Sequence, residues 1–194
     1  MASSQDSSTV QDFASQASAF CDLVARAETL PPDQFLRDAH LHLPVLYATA
    51  LRLRNVWTLA GIQADEVDST VADAAHKNDS VPDELPGHDK WMARWRALGA
   101  HLGTVNLYRS MFSPFDLAEV EPVTSNLADD LLDIQRDLQR GLDRWQGGDA
   151  VGAEWEWQFH FAAHWGRHAA GALRALHDLA YDDIAGQPYV RSDP

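Results

Sequence analysis

His160, His164 and His168 recur at four-residue steps between Asp149 and Tyr181, interleaved with Trp155, Trp157, Phe159, Phe161 and Trp165. Two imidazoles four apart on a helix can share one divalent ion, and a third ligand from another helix would leave positions open for water. Placing Trp165 at the centre of the buried face, at 100° per residue, sets His168 at its edge, His164 roughly 100° away and His160 roughly 140° away. The three rings are therefore expected to spiral away from the core, with only the His164 and His168 pair suited to an inward site. His42, which projects from the apolar stripe of an earlier segment, is the expected third ligand. Without a metal, His42 and His168 would each donate to a backbone or carboxylate oxygen instead.

The same rotation turns Glu154 and Gln158 inward, where a carboxylate needs a cation or donors. Arg109 falls on the inward side of the expected third helix, so a Glu154 to Arg109 ion pair, a frayed and solvated helix start, or a polar pocket shared by Glu154, Gln158, Arg109 and His101 is expected. Asp129, Asp130, Asp133 and Asp137 could in principle hold magnesium. Rotation sets Asp129 and Asp133 opposite the Leu131 and Leu138 stripe, with Arg136, Arg140 and Arg144 interleaved, which describes a solvated, salt-bridged surface. Only Asp130 and Asp137 flank the core. Trp91 and Trp95 suit packing, or with Trp157 and Trp165 a ligand groove. The chain has no Gly-rich phosphate loop, nucleophile elbow, paired-cysteine zinc signature or His-Glu-x-x-His.

The elements that must position these groups read as helices. Residues 1 to 10, MASSQDSSTV, are polar and aperiodic and are expected to form a tail. Phe13, Ala17, Phe20 and Val24 then give a stripe for a helix over about residues 11 to 29, stopped by Pro31-Pro32. A second helix begins at Pro32 and Asp33 and carries Phe35, Ala39, His42, Leu46, Ala50, Leu53 and Trp57. Pro44 inside it should remove the bond to the carbonyl of His40 and kink it. Residues 62 to 88 read as a long acidic connection with a short helix near residues 67 to 75.

A third helix carries Trp91, Trp95, Leu98, Leu102, Val105 and Phe112 until Ser113-Pro114. Thr124, Ser125 or Asn126 can cap a fourth, with Leu127, Leu131, Ile134, Leu138, Leu142 and Trp145, closing at Gly147-Gly148. Asp149 caps a final helix to about Tyr181, and residues 182 to 194 form a tail. No alternating strand is evident, so the expectation is an all-α fold: one domain over residues 11 to 181, an antiparallel bundle of about five helices with a kinked second helix.

Composition narrows the function. A formal charge of −14 over 194 residues argues against a nucleic-acid or anionic-membrane partner; it serves solubility or, in the sharper reading, gives an acidic face that recruits a basic protein partner. No stretch approaches a membrane span, and no secretory signal opens the chain. Cys21 is the single cysteine, so no intramolecular disulfide forms; it reads as a small buried hydrophobe in a cytoplasmic protein. No cofactor is expected beyond a divalent metal at the histidines.

His40-Leu41-His42-Leu43-Pro44-Val45-Leu46-Tyr47-Ala48-Thr49-Ala50, within Phe20 to Leu53, resembles the bacterial family known as domain of unknown function 5063. So do the stretch from Asn126 to Ile134, and Trp155-Glu156-Trp157-Gln158-Phe159 leading into His164-Trp165-Gly166-Arg167-His168-Ala169. The resemblance covers about residues 12 to 180 and implies a stand-alone bacterial domain, with no activity and no residue roles to carry over. One early histidine with a late His-x-x-x-His is also similar, in geometry alone, to the bacillithiol-transferase-like four-helix metalloproteins. Strong packing signals without a dense catalytic constellation favour an interaction or adaptor protein. The alternatives are a metal-dependent hydrolase or transferase using His42, His164 and His168, and a small-ligand sensor using the tryptophan groove.

Overall fold

The computed structural model describes residues 4–54, 88–111, 115–116, 118 and 121–181. Across them the chain is mostly helical, with α1 (Ser4–Ala25), α2 (Pro32–Ala50), α3 (His88–Leu102), α4 (Leu127–Gln146), α5 (Ala150–His160) and α6 (Gly166–Tyr181). A π-helical turn, Phe161–Trp165, joins α5 to α6. The expected connection over 62 to 88, its short helix, Trp57, Phe112 and the tail from residue 182 fall outside the described residues, His88 excepted.

α1 begins at Ser4, well before residue 11, so the expected tail is largely helical, and Val10 is already buried. It stops at Ala25, and a 3₁₀ turn, Ala27–Thr29, leads into Pro31-Pro32. Pro32 occupies the first turn of α2, where its missing N–H costs nothing. The helix runs on through Pro44 to Ala50, although Pro44 cannot donate to the carbonyl of His40. Asn126 caps α4 by accepting from the amide of Asp129 at 3.1 Å, and Asp149 caps α5 by accepting from Gly152 at 2.9 Å, as their positions predict.

The expected third helix is shorter than its apolar spacing suggests. Gly103 takes φ +60°, which an L residue rarely adopts, and a 3₁₀ turn replaces the next helical turn. The chain then forms β1 (Leu107–Ser110), paired antiparallel with β2 (Val123–Asn126), Tyr108 opposite Ser125 and Arg109 opposite Thr124. Four-residue strands hold too few alternations to stand out from helical spacing. The buried Asn106 side chain ties the hairpin to the start of α4 by accepting from the amide of Ala128 at 2.9 Å.

Contacts along α2 run opposite to those along α5 and α6. Arg54 meets Glu154, Ala50 meets Gln158, Tyr47 meets Phe161, and His40 meets His177 and Tyr181. α4 is likewise antiparallel to α5 and α6, with Arg144 on Glu156, Arg140 on His160, Asp137 on His164 and Asp130 on His168. α1 closes the other side of α4, where Gln135 donates to the carbonyl of Cys21 and Cys21 sits buried. Burial pushes that thiol up to about 12, consistent with a packing role.

The centre of the core is aromatic. Phe13, Trp157 and Trp165 are fully buried, with ring centroids of Phe13 and Trp157 4.9 Å apart. Each indole N–H is satisfied, Trp157 by the carbonyl of Leu138 at 3.0 Å and Trp165 by that of Trp157 at 3.1 Å. Gly141 leaves the space that the Trp157 indole fills, since a Cβ there would strike the ring. Gly141→Ala is therefore expected to destabilise the protein by about 1–3 kcal/mol, measured by thermal or denaturant unfolding, because neither α4 nor the buried indole can yield cheaply.

Candidate functional site

α4 buries three carboxylates on one side. Asp130, Asp133 and Asp137 are 5, 8 and 2 % exposed. Spacings of three and four residues put them on one helical face, and that face meets the histidine-bearing segment. The expectation that Asp133 points to solvent is overturned, because helical rotation gives its angle from the apolar stripe but says nothing of what a neighbouring segment lays over it.

The π turn brings the histidines into line with these carboxylates. Each i→i+5 bond fits one extra residue into a turn and winds the phase back by about 100°. The outward spiral predicted for a continuous α-helix is thereby cancelled. His160, His164 and His168 all face α4: His160 Nδ1 lies 3.9 Å from Asp137, His164 Nδ1 2.7 Å from Asp137, and His168 Nδ1 2.7 Å from Asp130. The same wind-back leaves Ala162 exposed.

His164 and His168 each give one ring N–H to a buried carboxylate, which turns both Nε2 atoms toward each other, 3.3 Å apart. Asp133 Oδ2 lies 3.7 Å from each of them. With both Nδ1 atoms protonated, two lone pairs and a carboxylate oxygen face one point, an arrangement that needs a proton or a cation. Burial by itself would lower the His168 pKa, but the hydrogen bond and charge of Asp130, with Asp133 and Asp129, outweigh it and raise it. Burial raises the Asp133 carboxyl, against the opposing pull of Arg136, His168 and His164. Arg136 Nη2 is 2.9 Å from Asp133 Oδ1 but off the axis of a directed hydrogen bond, so the contact is one of charge.

Neighbouring groups brace the cluster. Tyr108, from the hairpin, donates to the second oxygen of Asp130 at 2.7 Å, with burial first and then Asp130 holding its hydroxyl protonated. Gly171 makes room for that hydroxyl, which lies 2.6 Å from where a Cβ would sit. His160 is held between Glu156 at 3.3 Å and Arg140 at 3.1 Å, and burial keeps its pKa below the usual value.

The other expected site residues are scattered. His42, half-buried on α2, is not part of the cluster; Asp133 supplies the third converging atom in its place. Glu154 and Gln158 are buried as expected, but Glu154 pairs with Arg54, accepting from its backbone N–H at 3.0 Å and from its guanidinium, and Gln158 donates to the carbonyl of Ala50. Arg109 is exposed on β1, so its expected pairing with Glu154 fails because the third helix ends before it. His101 remains on α3 with Nε2 buried and no hydrogen-bond partner among the described residues. Trp157 and Trp165 are core residues, which leaves no four-tryptophan groove. Missed in the sequence were Asp133, Tyr108 and Arg54; acids at 130, 133 and 137, three and four residues apart on one helical face, were the signal available for the first.

The family described as Domain of unknown function (DUF5063) matches residues 4–182. The crystal structure of protein BF1032 from Bacteroides fragilis is similar in fold, with a TM-score of 0.64 and 22% identity over 94% of this chain and 96% of that one. No curated protein matches the chain.

In chelator-treated protein, His168 is expected to titrate above its ordinary 6.5. Asp130→Asn should bring it down in an NMR titration of the imidazole signals. A raised histidine stabilises most below the unfolded value and loses that contribution as pH rises through the folded one. The wild-type advantage in melting temperature over Asp130→Asn should therefore be full below about pH 6.5 and shrink above it, and an advantage that grows with pH would contradict the assignment.

Proposed function

Because the chain belongs to the family of domain of unknown function 5063, whose description names no activity, we propose on geometry alone that it is a divalent-metal hydrolase. In this reading the helices form an antiparallel bundle, with His164 Nε2, His168 Nε2 and Asp133 Oδ2 as ligands. The observation that carries it is their convergence with both Nδ1 atoms already committed to buried carboxylates. Three atoms separated by 3.3, 3.7 and 3.7 Å lie on a circle of radius about 2.1 Å, and zinc bonds to nitrogen and oxygen span about 2.0–2.2 Å. Carboxylates behind ligating imidazoles fix the tautomer and raise the basicity of the donor nitrogen, the role open to Asp130 and Asp137.

Two histidines and one carboxylate suit zinc and related first-row ions, and three protein ligands leave room for water. The His164 side chain is 37% exposed, so the cluster has a way to solvent. A bound ion would lower the pKa of that water toward about 7 and supply hydroxide near neutral pH. The adaptor reading keeps only the acidic composition in its favour.

Elemental analysis after loading with zinc, manganese or nickel and removal of excess is expected to give one ion per chain. Asp133→Asn and His168→Gln, which keep polar side chains of similar size, should abolish retention while circular dichroism stays unchanged. Retention that survives both substitutions, or none in well-folded wild-type protein, would leave the two imidazoles sharing a proton and end the metal reading.

A further inference from the structure

On the other flank of α4, against α3, lies a groove of about 380 Å³, within the range of small-ligand sites. Its rim carries Lys90, Arg94, Arg136 and Arg140, and Trp91 and Leu132 line it. Four cations at one groove are conspicuous in a chain with 15 basic residues against 29 acidic ones. The one carboxylate on the rim, Asp143, already accepts from Gln139 at 2.8 Å. Lys90 and Arg94 line the groove and make no ion pair among the described residues.

The groove and the histidine cluster share a boundary. Around α4, Arg140 and Arg136 lie roughly 20° and 60° from Asp133, on the side of the groove, whereas Asp137 and Asp130 lie on the opposite side. Both arginines also touch the cluster: Arg136 sits over the Trp91 ring, 5.9 Å from its centroid, and on Asp133, while Arg140 bonds His160. A ligand held in the groove would thus have its anionic end near two guanidiniums that also contact the histidine cluster. Guanidinium forks match phosphate oxygens, and an apolar floor requires an apolar body on the same molecule.

Resting on the metal reading above, we propose that the substrate is a phosphate monoester of an aromatic or apolar alcohol, bound by Lys90, Arg94, Arg136 and Arg140. An ion held by His164, His168 and Asp133 would supply the activated water, whose oxygen would form the new bond to phosphorus as the ester P–O bond breaks. One proton of the water passes to the leaving oxygen, giving the alcohol and inorganic phosphate.

The test uses the full chain and 1-naphthyl phosphate. Chelator-treated protein should bind it more tightly than either 1-naphthol or inorganic phosphate in calorimetric titration. The Lys90→Ala, Arg94→Ala double variant should weaken binding about a hundredfold, tenfold for each of the two lost charge-assisted contacts, with zinc content unchanged. Zinc-loaded wild type should release fluorescent 1-naphthol, and Asp133→Asn should not. Naphthol binding as tightly as its phosphate, or affinity unmoved by the double variant, overturns the groove assignment. Groove binding without naphthol release by protein carrying one zinc overturns the substrate class and leaves the metal centre standing. Failure of the metal reading shows separately, as absence of retained zinc, and removes the proposal with it.

Discussion

Three carboxylates taken out of water on one helix must be answered by donors from its neighbours, since an unpaired buried charge is among the costliest things a fold can contain. Asp130, Asp133 and Asp137 set that demand on α4. Two histidines, one tyrosine and one arginine meet it, from α6, the π turn, the hairpin and α4 itself. The arrangement of the second half of the chain is tied to that need. The same polar contacts that satisfy the carboxylates leave the two Nε2 atoms and one Asp133 oxygen facing a shared point, so stability and candidate chemistry come from one set of contacts.

The π turn is the device that lets the two demands coexist. Trp157 and Trp165 must both be buried against Phe13, and they are eight residues apart, as are His160 and His168. A continuous α-helix advances about 80° over eight residues, which would carry either set away from its partners. One extra residue in a turn removes most of that advance and keeps both the aromatic and the imidazole face aligned. Gly166 fits the local crowding, because a Cβ there would meet the carbonyl of Phe161.

α4 thus separates two environments that its own sequence interleaves. One side carries carboxylates that meet histidines, the next carries arginines that meet a groove, and Arg136 and Arg140 touch both. A helix with acids and bases alternating along it looks like a salt-bridged outer surface when nothing is known of its neighbours. Once α3 and the π turn cover it, the same residues become a cluster and a rim.

Local sequence determined the helical segments at α1, α2 and α4, the caps at Asn126 and Asp149, and the burial of Leu131, Trp165, Glu154 and Gln158. These follow from spacings of three and four residues and from capping chemistry, which act within a few turns of the chain. Tertiary structure alone decided the hairpin, the pairing of Glu154 with Arg54 and the replacement of His42 by Asp133 in the cluster. Each depends on the phase of one element relative to another. That phase is set where Gly103 breaks α3 and where packing of Trp157 and Trp165 draws an additional residue into the turn between α5 and α6, and no periodicity read along a single segment contains it.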